Sequence, residues 1–327
     1  MKIITEESLE EAAKCLQEGG LVAFPTETVY GLGANALDPL AVAKIFEAKE
    51  RPAFDPLIVH IASLGQLDEL LAQPVNPLVF ELAAKFWPGP LTLVQPKSAI
   101  VPALVTSDLD SVAVRMPSHP VALRLLQLAG IPVAAPSANK FGQLSPTSYK
   151  HVVKQNMPVD YVVAGDILDK VVGIESTVVS IDKDVCTILR PGVITSDDLK
   201  RAIPGLVVQV PGENIKLASP GLLKSHYSPL KPLYFRDKSR HVLPAGSGLI
   251  VHSAESGKFN AEKVICTSKD HNLLEIAANL FASLHSMEED PDVKQIFIER
   301  IEEKGIGIAI MDRLKKATFQ YKADPQI

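Results

Sequence analysis

Short apolar runs alternate with amphipathic segments over the first 205 residues of the chain. Apolar residues recur at helical spacing between Ser8 and Gly19-Gly20, and Ser8 with Glu11 matches a capping box, so the pattern predicts a helix over this segment. The apolar run at residues 21–24 predicts a buried strand directly after it. The chain therefore begins with an amphipathic helix followed by a buried strand.

The same alternation continues to about residue 205. Asp38-Pro39 supplies a cap and a first-turn proline for a second helix, and further helices are predicted from Ser63 and over residues 118–129. Because helices and strands are interleaved, residues 1–205 are predicted to form a mixed α/β domain. The remaining predicted strands lie at residues 57–61, 91–94, 112–115, 131–135, 161–164, 177–181 and 186–189.

The periodicity fades over residues 206–230, where Gly, Pro, Ser and Lys are frequent. Between Lys216 and Arg240 there are six basic residues and one acid, Asp237, which predicts a linker with a positive bias. A solvated connection without a function is the simpler interpretation of this composition. Residues 231–327 are predicted to form a smaller α/β domain. Its predicted elements are strands at residues 249–251 and 295–298 and helices at residues 273–285 and 308–317.

The overall charge limits the classes of function. With 33 Lys and Arg against 38 Asp and Glu, the formal net charge is −5, so any nucleic-acid site must be local. Cys15, Cys186 and Cys266 are far apart, which argues against a disulfide framework and against a zinc site. Acidic residues near the N-terminus, and the lack of an apolar run of ~20 residues, predict a cytoplasmic protein without membrane association.

Several common catalytic motifs are missing from the sequence. It contains no Gly-x-x-x-x-Gly-Lys loop and no His-Glu-x-x-His, and its eight histidines are not paired at metal-ligand spacing. The run Gly31-Leu-Gly33-Ala-Asn-Ala36 fits the loose dinucleotide pattern, but Pro25-Thr-Glu-Thr28 separates it from the preceding strand. Since that glycine turn should follow a strand directly, a dinucleotide site is rejected here.

Polar residues collect where the predicted strands end. Residues 26–30 (Thr-Glu-Thr-Val-Tyr) occupy a turn, where hydroxyls that cap the backbone are the structural alternative to a binding role. Lys49 and Arg51 precede a proline turn, where they can hold phosphate oxygens or complement a helix dipole. Each cluster alone is an ordinary turn. Similar clusters follow at Arg115, at residues 135–147, at residues 175–177 and at Arg190.

Taken in order, these clusters form a series of motifs. They are Pro-Thr-Glu-Thr-Val-Tyr-Gly-Leu-Gly, Lys-x-Arg-Pro, Asp-Pro-Leu-Ile-Val-His, Trp-Pro-Gly-Pro-Leu-Thr, Val-Ala-Val-Arg-Met-Pro, Ala-Pro-Ser-Ala-Asn, Gly-x-Glu-Ser-Thr-Val and Leu-Arg-Pro-Gly. The series closely resembles the YrdC-like threonylcarbamoyl-AMP synthase family over residues 8–205. Residues 219–221 and 226–229 are similar to the linker of its two-domain members, and residues 278–281 and 305–317 are similar to their C-terminal domain.

The resemblance implies an α/β fold: a YrdC-like twisted open mixed sheet with a concave site, a linker that closes over the site, and a smaller Rossmann-like C-terminal domain. It implies a nucleotidyltransferase that converts L-threonine, bicarbonate or CO2, and ATP into threonylcarbamoyl-AMP and pyrophosphate. That product serves threonylcarbamoylation of adenosine 37 in tRNAs that read codons beginning with A, a step completed by separate transferase machinery. Mg²⁺ would arrive on the phosphates without protein ligands, no organic cofactor is implied, and stable tRNA binding stays open.

Site residues are carried over from the family motif by motif. Lys49 and Arg51 are the implied catalytic residues, since cations must offset the repulsion between two anionic substrates. The residues implied around threonine are Thr28, His60, Arg115, Ser176 and the backbone near Ala135. The residues implied around ATP are Arg51, Asp55, Ser111, Ser137, Asn139, Ser145, Arg190 and Tyr227.

Three positions depart from the family pattern. Asp55 stands where relatives often have Asn, and because a carboxylate repels phosphate we expect it beside the adenine or ribose. Leu222-Leu-Lys-Ser225 replaces linker residues that are more often cationic or aromatic. Asp312, just before Arg313, replaces the usual Asn, and the sequence offers no chemical reason for that change.

Three other functions are alternatives to the synthase activity. An RNA-binding or ribosome-maturation module would use a concave basic surface, but the net charge of −5 and the lack of a basic run interleaved with aromatics oppose it. A nicotinamide-dependent oxidoreductase would depend on Gly31–Ala36. A carbamoyltransferase that acts on protein, as in larger relatives with a YrdC-like domain, would need zinc-finger cysteines that this chain lacks.

Overall fold

The computed structural model describes residues 1–165, 172–209, 225–237, 242–254 and 259–321. Within them, one mixed sheet of eleven strands and one parallel sheet of four strands organise the chain. The linker segments 219–221 and 222–224 singled out in the sequence lie outside the described residues. In the described parts, no helix combines the length and the apolar character needed to cross a membrane.

The large sheet is built from residues 2–209. Its strands are β1 Lys2–Ile4, β2 Val22–Phe24, β3 Gly31–Asn35, β4 Ile58–His60, β5 Leu91–Pro96, β6 Ser111–Arg115, β7 Val133–Ala134, β8 Tyr161–Val163, β9 Thr177–Asp182, β10 Val185–Arg190 and β11 Val207–Gln209. The helices around it are α1 Leu9–Gln17, α2 Pro39–Lys49, α3 Gly65–Leu70, α4 Pro77–Phe86, α5 Ala103–Thr106, α6 Pro120–Ala129, α7 Tyr149–Lys154 and α8 Ser196–Ala202. The strand order is β1-β8-β2-β3-β7-β4-β6-β5-β9-β10-β11, with parallel and antiparallel neighbours.

The second domain is a four-stranded parallel sheet with two long helices. Its strands are β12 Leu233–Phe235, β13 Ser247–Val251, β14 Lys263–Cys266 and β15 Gln295–Ile298, in the order β12-β15-β13-β14. The helices are α9 Leu273–Glu289 and α10 Ile306–Ala317. The predicted α/β class of both parts is confirmed. The first sheet extends to Gln209, because β11 pairs with β10.

The helix-capping predictions hold at one site and fail at another. Asp38 caps α2, since its Oδ1 accepts the N–H of Leu40 at 2.9 Å. Ser8 makes no side-chain capping hydrogen bond, so the predicted capping box is wrong. The second half of the box is missing as well: the N–H of Ser8 donates to the carbonyl of Thr5 at 3.1 Å, and Glu11 Oε2 lies 2.5 Å from the Nζ of Lys2.

The core of the second domain extends to the first. Ile276, Leu280 and Phe281 of α9 are fully buried in a cluster that also contains Val29, Leu144 and Ile174 from the first domain and Tyr227 from the linker. Burial of apolar surface is the main favourable contribution to folding, at roughly 25 cal/mol per Å². The two domains are therefore packed together through one continuous apolar core.

Candidate active site

A cavity lies where turns and strand ends of the large sheet face the linker and the second domain. It is partly open to solvent. The wall draws on residues that are far apart in sequence. The lining residues are Thr26, Thr28, Val29, Tyr30, Gly31, Arg51, Ile58, His60, Arg115, Ala135, Pro136, Ser137, Glu175, Ser176, Arg190, His226 and Tyr227.

Thr26 fixes the turn after β2. Its Oγ1 accepts the backbone N–H groups of Thr28 (3.1 Å) and Val29 (3.2 Å) and donates to the carbonyl of Val29 (2.6 Å). Because that bond uses the only Thr26 hydroxyl proton, the contact of 2.8 Å between the two threonine hydroxyls has Thr28 as donor. The capping interpretation thus applies to Thr26, which leaves Thr28 to face the cavity.

Arg115 and His60 are neighbours because β4 and β6 pair in parallel, with His60 opposite Arg115. The Nη1 of Arg115 donates to Thr28 Oγ1 at 3.1 Å, and its Nη2 forms an ion pair of 2.6 Å with Glu27 Oε1. The Oε2 of Glu27 is buried and makes no hydrogen bond within the described residues. Arg115 is therefore held in place by Glu27 and Thr28, at the edge of the cavity.

The ring of His60 is neutral at physiological pH. Burial, and then the positive charge of Arg115, lower the pKa of His60 to about 3. Its Nδ1 donates to the carbonyl of Ile58 at 3.3 Å, and the edge of Phe24 packs against it with ring centroids 6.3 Å apart. His60 thus offers the cavity an uncharged polar surface beside a guanidinium.

Arg190 ties the end of β10 to the start of β9. Its Nη2 donates to both the carbonyl (3.0 Å) and the Oγ (3.1 Å) of Ser176, and its Nε donates to the same carbonyl at 3.2 Å. The hydroxyl of Thr92 lies 2.8 Å from Ser176 Oγ. Burial, the largest influence, lowers the pKa of Arg190, so this guanidinium faces the cavity in a largely desolvated setting.

Arg51 is a second buried cation at the cavity, and its charge is partly neutralised by Asp55. Its Nη2 lies 2.8 Å from Asp55 Oδ2 and donates to the carbonyl of Pro56 at 2.9 Å, while its Nε donates to the carbonyl of Asp55 at 3.1 Å. Arg51 lines the cavity and Asp55 does not. The repulsion expected between Asp55 and phosphate is therefore offset by its ion pair with Arg51.

Two family models cover most of the chain. The model described as "Telomere recombination" matches residues 14–192, and the model for the threonylcarbamoyl-AMP synthase C-terminal domain matches residues 194–318. A threonylcarbamoyl-AMP synthase of Pyrococcus abyssi is 43% identical, over 96% of this chain and 95% of its own. The chain belongs to the threonylcarbamoyl-AMP synthase family. It is an enzyme of the two-domain type, as the sequence motifs implied.

Further relatives of this synthase family agree along the whole length. The Bacillus subtilis threonylcarbamoyl-AMP synthase is 40% identical, over 94% of this chain and 92% of its own. The crystal structure of Pyrococcus abyssi Sua5, solved in complex with L-threonine, superposes with a TM-score of 0.85 at 39% identity and covers 98% of both chains. The predicted fold, an open mixed sheet with a smaller α/β domain, is thereby confirmed.

The glycine run that mimics a dinucleotide motif has a different purpose in this synthase. Gly31–Asn35 is strand β3, not a turn between strand and helix. A Cβ at Gly33 would lie 2.8 Å from both Phe24 Cε1 and Val133 Cγ1. The glycine therefore allows close packing between neighbouring strands, which confirms the rejection of a dinucleotide site at this run.

The structure places Lys49, implied as catalytic, and Asn139, implied around ATP, behind the cavity wall. The Nζ of Lys49 is buried, donates to the carbonyls of Ser137 (2.6 Å) and Asn139, and its pKa is lowered by burial and by Arg51. The Nδ2 of Asn139 donates to the carbonyls of Lys140 (2.8 Å) and Gln143 (3.0 Å). Only Ser137 of this group lines the cavity. Lys49 and Asn139 thus shape the turn that presents Ser137.

Ser145 lies directly behind the cavity wall, whereas Ser111 lies away from the cavity. Ser145 is fully buried and donates its hydroxyl to Glu175 Oε1 at 2.6 Å, directly behind the cavity wall. Ser111 begins β6, and since a strand rises about 3.3 Å per residue it lies roughly 13 Å before Arg115. Ser111 does not line the cavity, because it and Arg115 stand at opposite ends of β6.

The linker reaches the cavity through Tyr227. Its side chain is buried, lines the cavity, and packs between His226 (ring centroids 4.1 Å apart) and Phe281 of α9 (5.6 Å). Burial raises the pKa of the Tyr227 phenol. Its backbone adopts φ of 62°, a left-handed conformation that is unusual for tyrosine. The implied placement of Tyr227 at the site agrees with this geometry.

Sequence reasoning assigned no role to Glu27, Glu175 or Arg313. All three are buried, and each forms an ion pair: Glu27 with Arg115 at 2.6 Å, and Glu175 with Arg313 at 3.0 Å. Both glutamates belong to motifs that this sequence shares with the family. That position in a motif is the signal that could have identified them as site residues. Arg313 lies 138 residues from Glu175, and no local pattern connects them.

Proposed function

We propose that the cavity binds L-threonine beside His60 and Arg115 and binds ATP beside Arg51 and Arg190. CO2 joins the threonine amine as a carbamate with release of one proton, and bicarbonate does so with loss of water. The carbamate oxygen then attacks the α-phosphorus of ATP, and threonylcarbamoyl-AMP and pyrophosphate are formed. The single observation that carries this proposal is the convergence of three arginines, Arg51, Arg115 and Arg190, on one buried cavity.

The threonine half of the proposal is supported by two facts. A guanidinium is a suitable partner for an amino-acid carboxylate, and Arg115 is held at the cavity by Glu27 and Thr28. The structurally similar Pyrococcus abyssi Sua5, 39% identical, was solved with L-threonine. Thr28, Ser176 and the backbone of Ala135 line the same cavity and are assigned to this half of the site.

The nucleotide half is supported by charge. Two anions that react must be brought together against their repulsion, and phosphate transfer depends mainly on positioning and electrostatic stabilisation. Arg51 and Arg190 are buried, so their charges act in a poorly screened setting. Ser137 and Tyr227 complete the wall on this side. Lys49, Asn139 and Ser145 hold the turns of the cavity wall, and Asp55 neutralises part of the charge of Arg51.

Mg²⁺ would be held by the phosphates of the nucleotide, which commonly supply its ligands. Glu175, the carboxylate among the described lining residues, is already paired with Arg313, which supports an ion held by phosphate oxygens. When bound, the ion would neutralise charge that develops on the pyrophosphate. The reaction would take place in the cytoplasm, where a transferase uses the product to modify adenosine 37 of tRNA.

The test is pyrophosphate release, with L-threonine, bicarbonate, ATP and Mg²⁺ omitted in turn. We expect release only in the complete mixture, together with threonylcarbamoyl-AMP detected by mass spectrometry. Serine replaces threonine as a control for the β-methyl group. Pyrophosphate release that continues without threonine would contradict the proposal. Salt-sensitive RNA binding without ATP consumption would instead favour an RNA-binding module.

A further inference from the structure

Arg313 of α10 is completely buried, although it belongs to the second domain. A buried guanidinium is costly unless its donors are paired. The partners of Arg313 in the first domain account for three of its nitrogens. Its Nε donates to Glu175 Oε2 at 3.0 Å, its Nη2 to the Glu175 carbonyl at 3.3 Å, and its Nη1 to the Pro191 carbonyl at 2.5 Å.

Both partners adjoin residues of the cavity wall. Glu175 directly precedes Ser176, Pro191 directly follows Arg190, and Arg190 is itself bonded to Ser176. Arg313 therefore bridges two turns of the cavity wall, one that carries Glu175 and Ser176 and one that carries Arg190. A shift of either turn would move a group that faces the substrates.

Glu175 connects Arg313 to Ser145. Its Oε2 accepts from Arg313, and its Oε1 accepts from the hydroxyl of Ser145 at 2.6 Å. Burial, the largest influence, raises the pKa of the Glu175 carboxyl, but Arg313, Arg190 and Ser145 outweigh it and keep the carboxyl ionised. Arg313, Glu175 and Ser145 thus form one charged chain behind the cavity.

Asp312 holds Arg313 from its own helix. Its Oδ2 lies 3.1 Å from Arg313 Nη1 and 2.8 Å from Lys316 Nζ. The carbonyl of Lys316 accepts the N–H of His226 at 3.4 Å, and the guanidinium of Arg313 lies 5.7 Å from the centre of the Tyr227 ring. The same helical turn therefore contacts both the cavity wall and the linker.

We propose that Arg313 is a positioning residue of the synthase reaction, by which the second domain fixes the Glu175–Ser176 and Arg190–Pro191 turns in the geometry that receives both substrates. The inference rests on the proposed function, which assigns Ser176 to threonine and Arg190 to ATP. It makes the second domain part of the active site, through a residue that touches neither substrate. Small displacements of positioning groups can cost about 100-fold in rate.

The test compares Arg313→Met with Arg236→Met. Arg236 forms an ion pair of 2.6 Å with Glu299, is about nine-tenths buried, and lies wholly within the second domain. We expect Arg313→Met to lower kcat/KM for ATP and for threonine at least tenfold and to weaken threonine binding in calorimetry. Arg236→Met should change both by less than twofold at a similar loss of thermal stability. Equal losses in the two variants would overturn the proposal, since they would indicate general destabilisation.

Two further variants separate charge from packing. Arg313→Lys should recover part of the activity, because an ammonium can pair with Glu175 but cannot also span to Pro191. Glu175→Gln added to Arg313→Met should cost little more than Arg313→Met alone, because the two residues act as one unit. Fully additive losses would overturn the proposal. Should Arg313→Met not fold, Arg313→Lys and Glu175→Gln decide the question against the same control.

Amide hydrogen exchange without substrates gives a readout that does not depend on activity. We expect faster exchange over residues 172–178 and 189–194 in Arg313→Met and parent-like exchange in Arg236→Met. Unchanged exchange in Arg313→Met would overturn the proposal. If the parent chain released no threonine-dependent pyrophosphate, the proposed function would fail, and the exchange result would still decide whether Arg313 holds the two turns.

Discussion

Replacing Arg51 with alanine separates the two roles that the structure gives this residue. The side chain is 4% exposed, pairs with Asp55 at 2.8 Å, and donates to two carbonyls. Removing one partner of a buried ion pair costs about 3–5 kcal/mol, because the other charge stays buried alone. Domains are stable by about 5–15 kcal/mol, so the variant should fold at 25 °C with a much lower unfolding midpoint.

The expected effect of Arg51→Ala on the reaction is smaller than its effect on stability. The loss of one charged hydrogen bond to a phosphate corresponds to about 1.5–3 kcal/mol, which is roughly tenfold to 150-fold in kcat/KM for ATP. Pyrophosphate release with ATP varied at saturating threonine measures this change. Urea unfolding, followed by circular dichroism, measures the stability of the same samples.

The double variant Arg51→Ala/Asp55→Asn distinguishes the two effects. It removes the orphaned carboxylate, so it should be more stable than Arg51→Ala by at least about 1 kcal/mol, while the loss in kcat/KM for ATP remains. The exposed pair Arg201–Asp198, with its arginine side chain 77% exposed, offers a control: Arg201→Ala should change stability by less than about 0.5 kcal/mol. Equal stability of the single and double variants, or unchanged ATP kinetics in folded Arg51→Ala, would refute the reasoning.

Three further outcomes are expected. Burial lowers the pKa of His60 and of His285 to about 3, so between pH 6.5 and 3 the unfolded chain binds protons that the folded chain does not. The free energy of unfolding should therefore decrease as the pH is lowered below 6.5, by about 1.4 kcal/mol for each pH unit and each histidine. Urea unfolding at pH 7 and 5 measures this slope, and His285→Gln should reduce it. Gly192→Ala places a Cβ 2.4 Å from the Thr177 nitrogen and should weaken threonine binding in calorimetry; unchanged affinity would contradict this. Phe281→Ala should cost about 3–5 kcal/mol in unfolding free energy, and a loss below 1 kcal/mol would contradict the shared core.

Local patterns predicted many elements because their causes are local. Asp38-Pro39 starts a helix through contacts within one turn, and the buried runs at β5, β6 and β9 are strands in the structure. The prediction failed where the groups involved have other partners. Ser8 does not cap α1: its N–H is bonded to the carbonyl of Thr5, and Glu11 pairs with Lys2. Strand β3 was not predicted, because its glycines show no apolar alternation and fit only a packed neighbour.

The motifs placed Thr28, His60, Arg115 and Ser176 at one site, and the structure brings all four to the cavity wall. They identify which chemical groups are present at strand ends. They could not reveal which groups face the cavity and which stand behind it. Lys49 has the residue type expected beside phosphate and Asp55 one expected beside the adenine or ribose, yet a carbonyl pair holds the first and Arg51 holds the second.

The sequence by itself determined the α/β class, the two-part organisation, the family and the residue types that gather at the strand ends. Such information is carried by short-range periodicity and by the order of motifs. Only the tertiary structure decided that Arg51 is partly neutralised by Asp55, that Ser111 lies at the far end of β6, and that Arg313 reaches Glu175. The physical reason is that an ion pair forms between whichever charges the fold brings within about 3 Å, and their separation along the chain does not enter that energy.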